Sequence, residues 1–215
     1  MPRLKTVRPK WALTVDQAIA LFGQLPWALP RTLVGLAVLT GPRRGELFAF
    51  RWRHFDESNR CLHVNEAVYE GTFDQPKTAA SVRPIPLPDA ALQLIVDWRA
   101  RAKRTEPDDL IFSTGSGKPI APNNVLRRWI YPACAAADLP RATWLTFRRT
   151  YSSWAHAKGV PAKVVAQIMG HTKVDTTINV YTQVLDGAAR AAADRVGSEL
   201  SRIVQKPESG AALTD

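Results

Sequence analysis

Five residues of this chain stand in an order and in local settings that suit chemistry on a phosphodiester without a metal: Arg43, Lys77, Arg148, His171 and Tyr181. An arginine suits phosphate because its planar fork makes two parallel charge-assisted hydrogen bonds and keeps its proton. Arg43 follows Gly41-Pro42, where one helix stops and the next starts, so its side chain would project from a rigid corner. Gly45 would permit close backbone approach, and Glu46 would pair with and orient an arginine. Lys77, in the turn Asp74-Gln75-Pro76-Lys77-Thr78, would reach over a bound strand and donate a proton to a departing oxygen. Arg148 shares a helical face with Trp144, Phe147, Tyr151 and Trp154, where a charge beside a core-facing stripe needs an anionic partner. His171 follows Ile168-Met169-Gly170, a helix ending at glycine. Tyr181 would attack phosphorus and store the bond energy as a phosphotyrosine. Each residue alone has a plainer reading: a surface ion pair, a solvated hairpin lysine, a C-cap histidine, a half-buried tyrosine. The weight lies in their joint occurrence.

The elements that must position them are mostly helical. A basic arm over residues 1–12 precedes a helix capped by Thr14, with Gln17 at the capping-box position and an apolar stripe of Ala18, Ile19, Leu21 and Phe22. Thr32 to Leu39 makes a second helix, stopped at Gly41-Pro42, and Arg44 to Phe50 a third. Cys61 to Tyr69 and Val82 to Leu87 read as extended runs of a small antiparallel sheet, joined by the polar turn Gly71 to Ser81. Further helices are expected over 89–104, 122–137, 144–158, 161–169, 173–184 and 186–204, with a short strand at Leu110 to Ser113. The fold class is mainly α with a small antiparallel β-sheet. The tail from Gln205 to Asp215 reads as disordered.

Composition bounds the function. With 215 residues the chain suffices for one well-buried core, and no apolar run approaches a membrane span. The N-terminus is basic but lacks the apolar segment of a secretory signal, so a cytoplasmic protein is expected. Net charge is +10, which favours a polyanionic partner such as nucleic acid. The same arginine-rich composition also arises from GC-rich coding. Cys61 and Cys134 lie far apart in sequence, and His54, His63 and His156 show no metal-ligand spacing, so neither a disulfide framework nor a zinc site is expected. Gly115-Ser116-Gly117-Lys118 lacks the earlier glycine and following hydroxyl of a phosphate loop, and reads as a turn.

Taken together, Thr40-Gly41-Pro42-Arg43-Arg44-Gly45-Glu46, Lys77, Leu145-Thr146-Phe147-Arg148, Met169-Gly170-His171 and Thr176-Thr177-Ile178-Asn179-Val180-Tyr181-Thr182 resemble the motifs of the tyrosine recombinases of the phage integrase family, from Leu13 to about Val204. The resemblance implies a recombinase catalytic domain over residues 13–204 that cuts and rejoins double-stranded DNA through a 3′-phosphotyrosine, with no cofactor, metal or ATP. Arg43 and Arg148 would clamp the scissile phosphate, Tyr181 attack it, Lys77 protonate the leaving 5′-oxygen, and His171 bond the phosphate or assist proton transfer; Glu46 would support Arg43. It further implies integration or recombination of a mobile element, self-association on DNA as a tetrameric synapse, and a protein contact near Asp186 to Ile203.

Two departures accompany it. Leu145 stands where the family has a histidine, and if that histidine is a general base its absence would cost roughly 10²–10⁴-fold in rate. Only the basic arm stands where the family's N-terminal DNA-binding domain is expected. Two alternatives therefore stay open: a catalytically impaired DNA-binding or regulatory remnant of the same fold, and a type IB topoisomerase-like enzyme that relaxes DNA without pairing two sites.

Overall fold

A computed structural model describes residues 11–26, 28–74 and 82–171, all within one compact unit. Lys77 with its turn, Tyr181, the expected helices over 173–184 and 186–204, most of the basic arm and the C-terminal tail lie outside the described residues.

Helix α1 (Val15–Gln24) starts where its cap predicts. The Gln17 N–H donates to Thr14 Oγ1 at 3.2 Å and the Thr14 N–H to Gln17 Oε1 at 3.0 Å, a reciprocal capping box. Ala18 and Leu21 are buried and Phe22 packs against the core, but Ile19 is 65% exposed. At about 100° per residue, Ile19 falls a quarter-turn off the line that Ala18, Leu21 and Phe22 share. Helix α2 (Ala28–Thr40) is buried along most of its length and packs against two later helices, so its sequence is mostly apolar, with Arg31 in its first turn exposed. Its buried hydroxyls bond back into the helix, Thr32 to the Ala28 carbonyl at 2.9 Å and Thr40 to the Leu36 carbonyl at 2.7 Å. Helix α3 (Arg44–Ala49) and a 3₁₀ turn (Trp52–His54) follow.

The strands are β1 (Phe55–Asp56), β2 (Cys61–Val64), β3 (Ala67–Tyr69), β4 (Thr72–Asp74) and β5 (Arg83–Pro86). They form a three-stranded antiparallel sheet, ordered β1-β2-β5, and a separate β3-β4 hairpin. The single run expected from Cys61 to Tyr69 thus divides at Asn65-Glu66. There the Glu66 carboxylate accepts a 2.6 Å bond from Arg51 Nε, which draws the chain out of the first sheet. Within β5 the side chains alternate strictly: Arg83 and Ile85 are buried, Pro84 and Pro86 exposed.

Leu110 to Ser113, expected as a strand, makes only isolated bridges, Arg51 with Leu110 and Ser113 with Pro119. The first bridge is made by the Trp52 N–H on the Asp109 carbonyl at 3.1 Å and the Ile111 N–H on the Phe50 carbonyl at 2.8 Å, and the pairing goes no further because the next donor, the Arg53 N–H, turns to the Pro107 carbonyl at 2.8 Å. Helix α4 (Asp89–Arg99) stops short of the expected residue 104. The Arg101 and Ala102 N–H groups both close onto the Trp98 carbonyl, and the Trp98 indole N–H anchors the next loop through the Ile111 carbonyl at 2.7 Å.

The expected helix over 122–137 is a single rod made of α5 (Pro122–Val125), a π turn (Leu126–Ile130) and α6 (Tyr131–Ala136). Pro132 has no N–H to offer the preceding turn, and the helix widens there, with the Tyr131 N–H bonding to the Leu126 carbonyl. Helix α7 (Trp144–Ala157) is capped by Thr143, and α8 (Ala162–Met169) ends at Gly170. Phe48, Phe50, Phe112 and Phe147 are fully buried, and Trp144 packs edge-on against Phe48 and Phe147 with ring centroids at 5.0 and 5.8 Å. These contacts fix α7 against α3, so both arginine-bearing helices share one core. No described helix is long and apolar enough to cross a membrane.

Sheet pairing gives Cys61 and His63 neighbours that sequence spacing does not reveal. Asp56 lies opposite Cys61, and donor atoms of Asp56, Cys61 and His63 all fall within 4.8 Å of one another. The Asp56 carboxylate is already engaged by the Asn59 N–H at 2.9 Å and Nδ2 at 2.8 Å, and burial pushes the Cys61 thiol up, favouring the protonated form that does not ligate metals.

Candidate active site

The last carbonyls of an α-helix have no partner within the helix and carry the negative end of its dipole. At the end of α8 three arginines from three other elements supply the missing donors. Arg83 Nε donates to the Ile168 carbonyl at 2.7 Å, Arg83 Nη2 and Arg148 Nη2 donate to the Met169 carbonyl at 3.1 and 2.7 Å, and Arg43 Nη2 donates to the Gly170 carbonyl. Gly170 makes this possible: its φ of 69° is left-handed, and a Cβ there would lie 2.5 Å from Arg83 Nη1 and 3.0 Å from Arg43 Nη1. The turn it forms brings the His171 N–H back to the Ala166 carbonyl at 2.8 Å and swings the imidazole toward Arg148.

Glu46 is the counter-ion. It reaches back from the first turn of α3 to accept the Arg43 backbone N–H at 2.7 Å, while its Oε1 takes Arg43 Nη1 at 2.7 Å. Its two oxygens also receive Arg83, Nη1 at 3.1 Å and Nη2 at 2.9 Å. Gly45, as expected, permits close approach of backbone: a Cβ would sit 3.0 Å from the Val68 carbonyl of β3. Arg148 is buried, with Nη1 on the Gly41 carbonyl at 2.6 Å and Nη2 also 2.7 Å from His171 Nε2.

The charge states follow from these contacts. Burial opposes ionisation of Glu46, but the hydrogen bonds and charge of Arg83, with the bonds from Arg43, outweigh it and hold the carboxyl below its ordinary range. Burial, then the charges of Arg43 and Arg83, push Arg148 down to about 9, which leaves it cationic at neutral pH; Glu46 acts in the opposite sense. His171 is lowered to about 4, by burial first and then by Arg148, Arg43 and Arg83. It is therefore neutral. A guanidinium can only donate, so Nε2 accepts from Arg148 and the ring proton belongs on Nδ1. Three guanidiniums against one carboxylate and a neutral imidazole give a net positive cluster of a kind that attracts an oxyanion.

Of the residues singled out by sequence, Arg43, Glu46, Arg148 and His171 meet here. Lys77 and Tyr181 lie outside the described residues. Leu145 occupies the first turn of α7, three residues before Arg148, and is 53% exposed. Sequence reasoning missed Arg83. The signal was present: in the alternation of β5 an arginine shares the inward face with Ile85, which demands a buried anion.

The phage integrase family profile matches residues 14–187. A tyrosine recombinase XerC-like protein of Caldanaerobacter subterraneus subsp. tengcongensis is 26% identical over 179 residues, covering 72% of this chain and 46% of that protein. The chain spans about half the length of the curated relatives it matches. Among solved structures, the Tn1549 transposon integrase in complex with a circular intermediate DNA shares the fold with a TM-score of 0.77 at 22% identity, covering 89% of this chain and 67% of that one. A lambda integrase dimer bound to a COC′ core site does so with a TM-score of 0.62 at 18% identity, covering 82% and 61%.

Proposed function

The chain belongs to the phage integrase family, and from that premise we propose that it cuts and rejoins strands of duplex DNA through a covalent bond between Tyr181 and a 3′-phosphate. The observation that carries this reading is the convergence of Arg43, Arg148 and His171 on one net-positive cluster. In the proposed reaction a phosphate oxygen displaces backbone carbonyls as the acceptor of the Arg43 and Arg148 N–H groups, so charge growing on the equatorial oxygens is stabilised by donors already in place. The Tyr181 oxygen attacks phosphorus, the bond to the 5′-oxygen breaks, and Lys77 supplies the proton that oxygen needs. His171, neutral with an unprotonated Nε2, is in the charge state of a proton acceptor. Leu145 can accept none. Attack of a 5′-hydroxyl on the phosphotyrosine restores a phosphodiester, so one ester replaces another and the cycle requires neither ATP nor a metal.

The same premise suggests the partners. The Tn1549 integrase and the lambda integrase dimer are both seen with DNA. For this chain we assign duplex DNA as substrate, self-association on it as a tetrameric synapse, with the segment near Asp186 to Ile203 as the protein contact, and a place in the cytoplasm on the nucleoid, serving a mobile element. Residues 13–204 would form the catalytic domain.

The test is an SDS-resistant protein–DNA adduct on nicked duplexes from the ends of the element. An adduct lost in Tyr181→Phe supports the nucleophile. An adduct that appears only in Leu145→His identifies a site built but disabled, the impaired reading that Leu145 itself favours. No adduct in any variant, with DNA binding intact, rejects catalysis.

A further inference from the structure

Glu46 is bonded to two arginines, and the two contacts are not equivalent. Arg83 meets it fork to fork, through Nη1 at 3.1 Å and Nη2 at 2.9 Å, with the two side chains only 6% and 5% exposed. The Arg43 guanidinium meets it through Nη1 alone, at 2.7 Å, beside the bond from the Arg43 backbone N–H, and its side chain remains 41% exposed. A bidentate, desolvated pair is the stronger of the two, because both charges have lost water and both bonds are charge-assisted. The buried arginine therefore takes up most of the carboxylate's charge, while the exposed one is oriented by it.

We propose that Arg83 is a positioning residue that neutralises Glu46, so that Arg43 is held in place by the carboxylate yet keeps its positive charge for an incoming tetrahedral oxyanion. Without Arg83, Glu46 would pair with Arg43 alone, and the cluster would lose one unit of charge at the point where phosphate enters. Arg83 also bonds the Ile168 and Met169 carbonyls, so the same side chain holds the α8 end that presents His171. The inference rests on the phosphate-site reading of the cluster. Its test needs no strand cleavage.

Inorganic sulfate serves as the probe, titrated into the full chain while the His171 ring resonances are followed by NMR. Arg83→Met is expected to weaken sulfate binding about tenfold, the effect of one charge near a protein surface. Adding Glu46→Gln to it restores the net charge and is expected to recover affinity to within about twofold, and Arg83→Lys, which keeps the charge but not the fork, to stay close to the parent. The titration midpoint of His171 should rise in Arg83→Met and fall back in the double variant; a merely unfolded cluster would raise it in both. Equal weakness of the single and double variants, an Arg83→Lys as weak as Arg83→Met, or no sulfate response in the parent chain would each overturn the proposal. Failure of DNA cleavage alone, with this sulfate pattern intact, would count against the Tyr181 reading and not against Arg83.

Discussion

Glu46 and Arg83 form two parallel buried hydrogen bonds across 37 positions of sequence, tying the first turn of α3 to the start of β5. The pair fixes the sheet relative to the helices and sets the charge of the site, so stability and chemistry are coupled at one contact.

Removing one partner of a buried pair leaves the other charge unpaired, at a cost of about 3–5 kcal/mol. Glu46→Ala should therefore destabilise the chain by that order, measured by urea denaturation at neutral pH. The double variant Glu46→Gln, Arg83→Met should lose much less, since no uncompensated charge remains in the interior.

Acid should weaken the fold through two groups acting in the same direction. Glu46 has a folded pKa below its ordinary 4.5, so its contribution is complete above that value and disappears as pH falls through the folded pKa. His171 is lowered from 6.5 to about 4, so between those values the unfolded chain takes up a proton that the folded chain refuses, and stability falls as pH drops through that window. Denaturation midpoints of the parent and His171→Gln, compared from neutral to mildly acidic pH, should show a shallower fall in the variant.

Gly170→Ala meets both a left-handed φ of 69° and a Cβ position 2.5 Å from Arg83 Nη1. Backbone strain of this kind costs about 1–3 kcal/mol. The substitution should also displace the arginines from the α8 end, so sulfate or DNA affinity should drop more than denaturation alone predicts.

Thr143 caps the helix that carries Arg148, accepting the Thr146 N–H at 3.3 Å. Thr143→Ala should cost about 1 kcal/mol of stability, as loss of an N-cap does. The lowered thermal midpoint would identify the cap as the start of the arginine-bearing element.

Binding to duplex DNA should be strongly salt-dependent, because arginines neutralising phosphates release counterions. Each phosphate neutralised adds about −0.9 to the slope of log affinity against log salt concentration, so affinity should fall steeply between about 50 and 200 mM salt. Fluorescence anisotropy on a labelled duplex measures the slope, and a flat response would argue against phosphate contacts as the basis of binding.

Local signals were read well and long-range ones were not. The cap at Thr14, the stop at Gly41-Pro42 and the glycine end of α8 all act within a few residues, and each helix start or stop they predict is observed. The division of residues 61–69 depends on Arg51 drawing Glu66 aside, and the end of α4 on a bond between the Trp98 indole and the Ile111 carbonyl. Such contacts leave no periodic trace. Arg43, Glu46, Arg148 and His171 were legible because their neighbours form recognisable motifs, whereas Arg83 sits in a short strand with no motif of its own and shows its importance only as a cation on an inward face.

The arginine cluster also bears on how the chain matures. Arg43 and the Gly170 carbonyl it bonds are 127 positions apart, and Arg148 reaches back 107 positions to Gly41. Contacts so distant in sequence carry loop-closure entropy that only later packing repays, so they form late in folding. A nascent chain still on the ribosome presents Arg43, Glu46 and Arg83 long before the end of α8 exists to receive them. The arginine cluster is thus withheld from every product of synthesis that stops short of α8, and arises only with the docking of that helix.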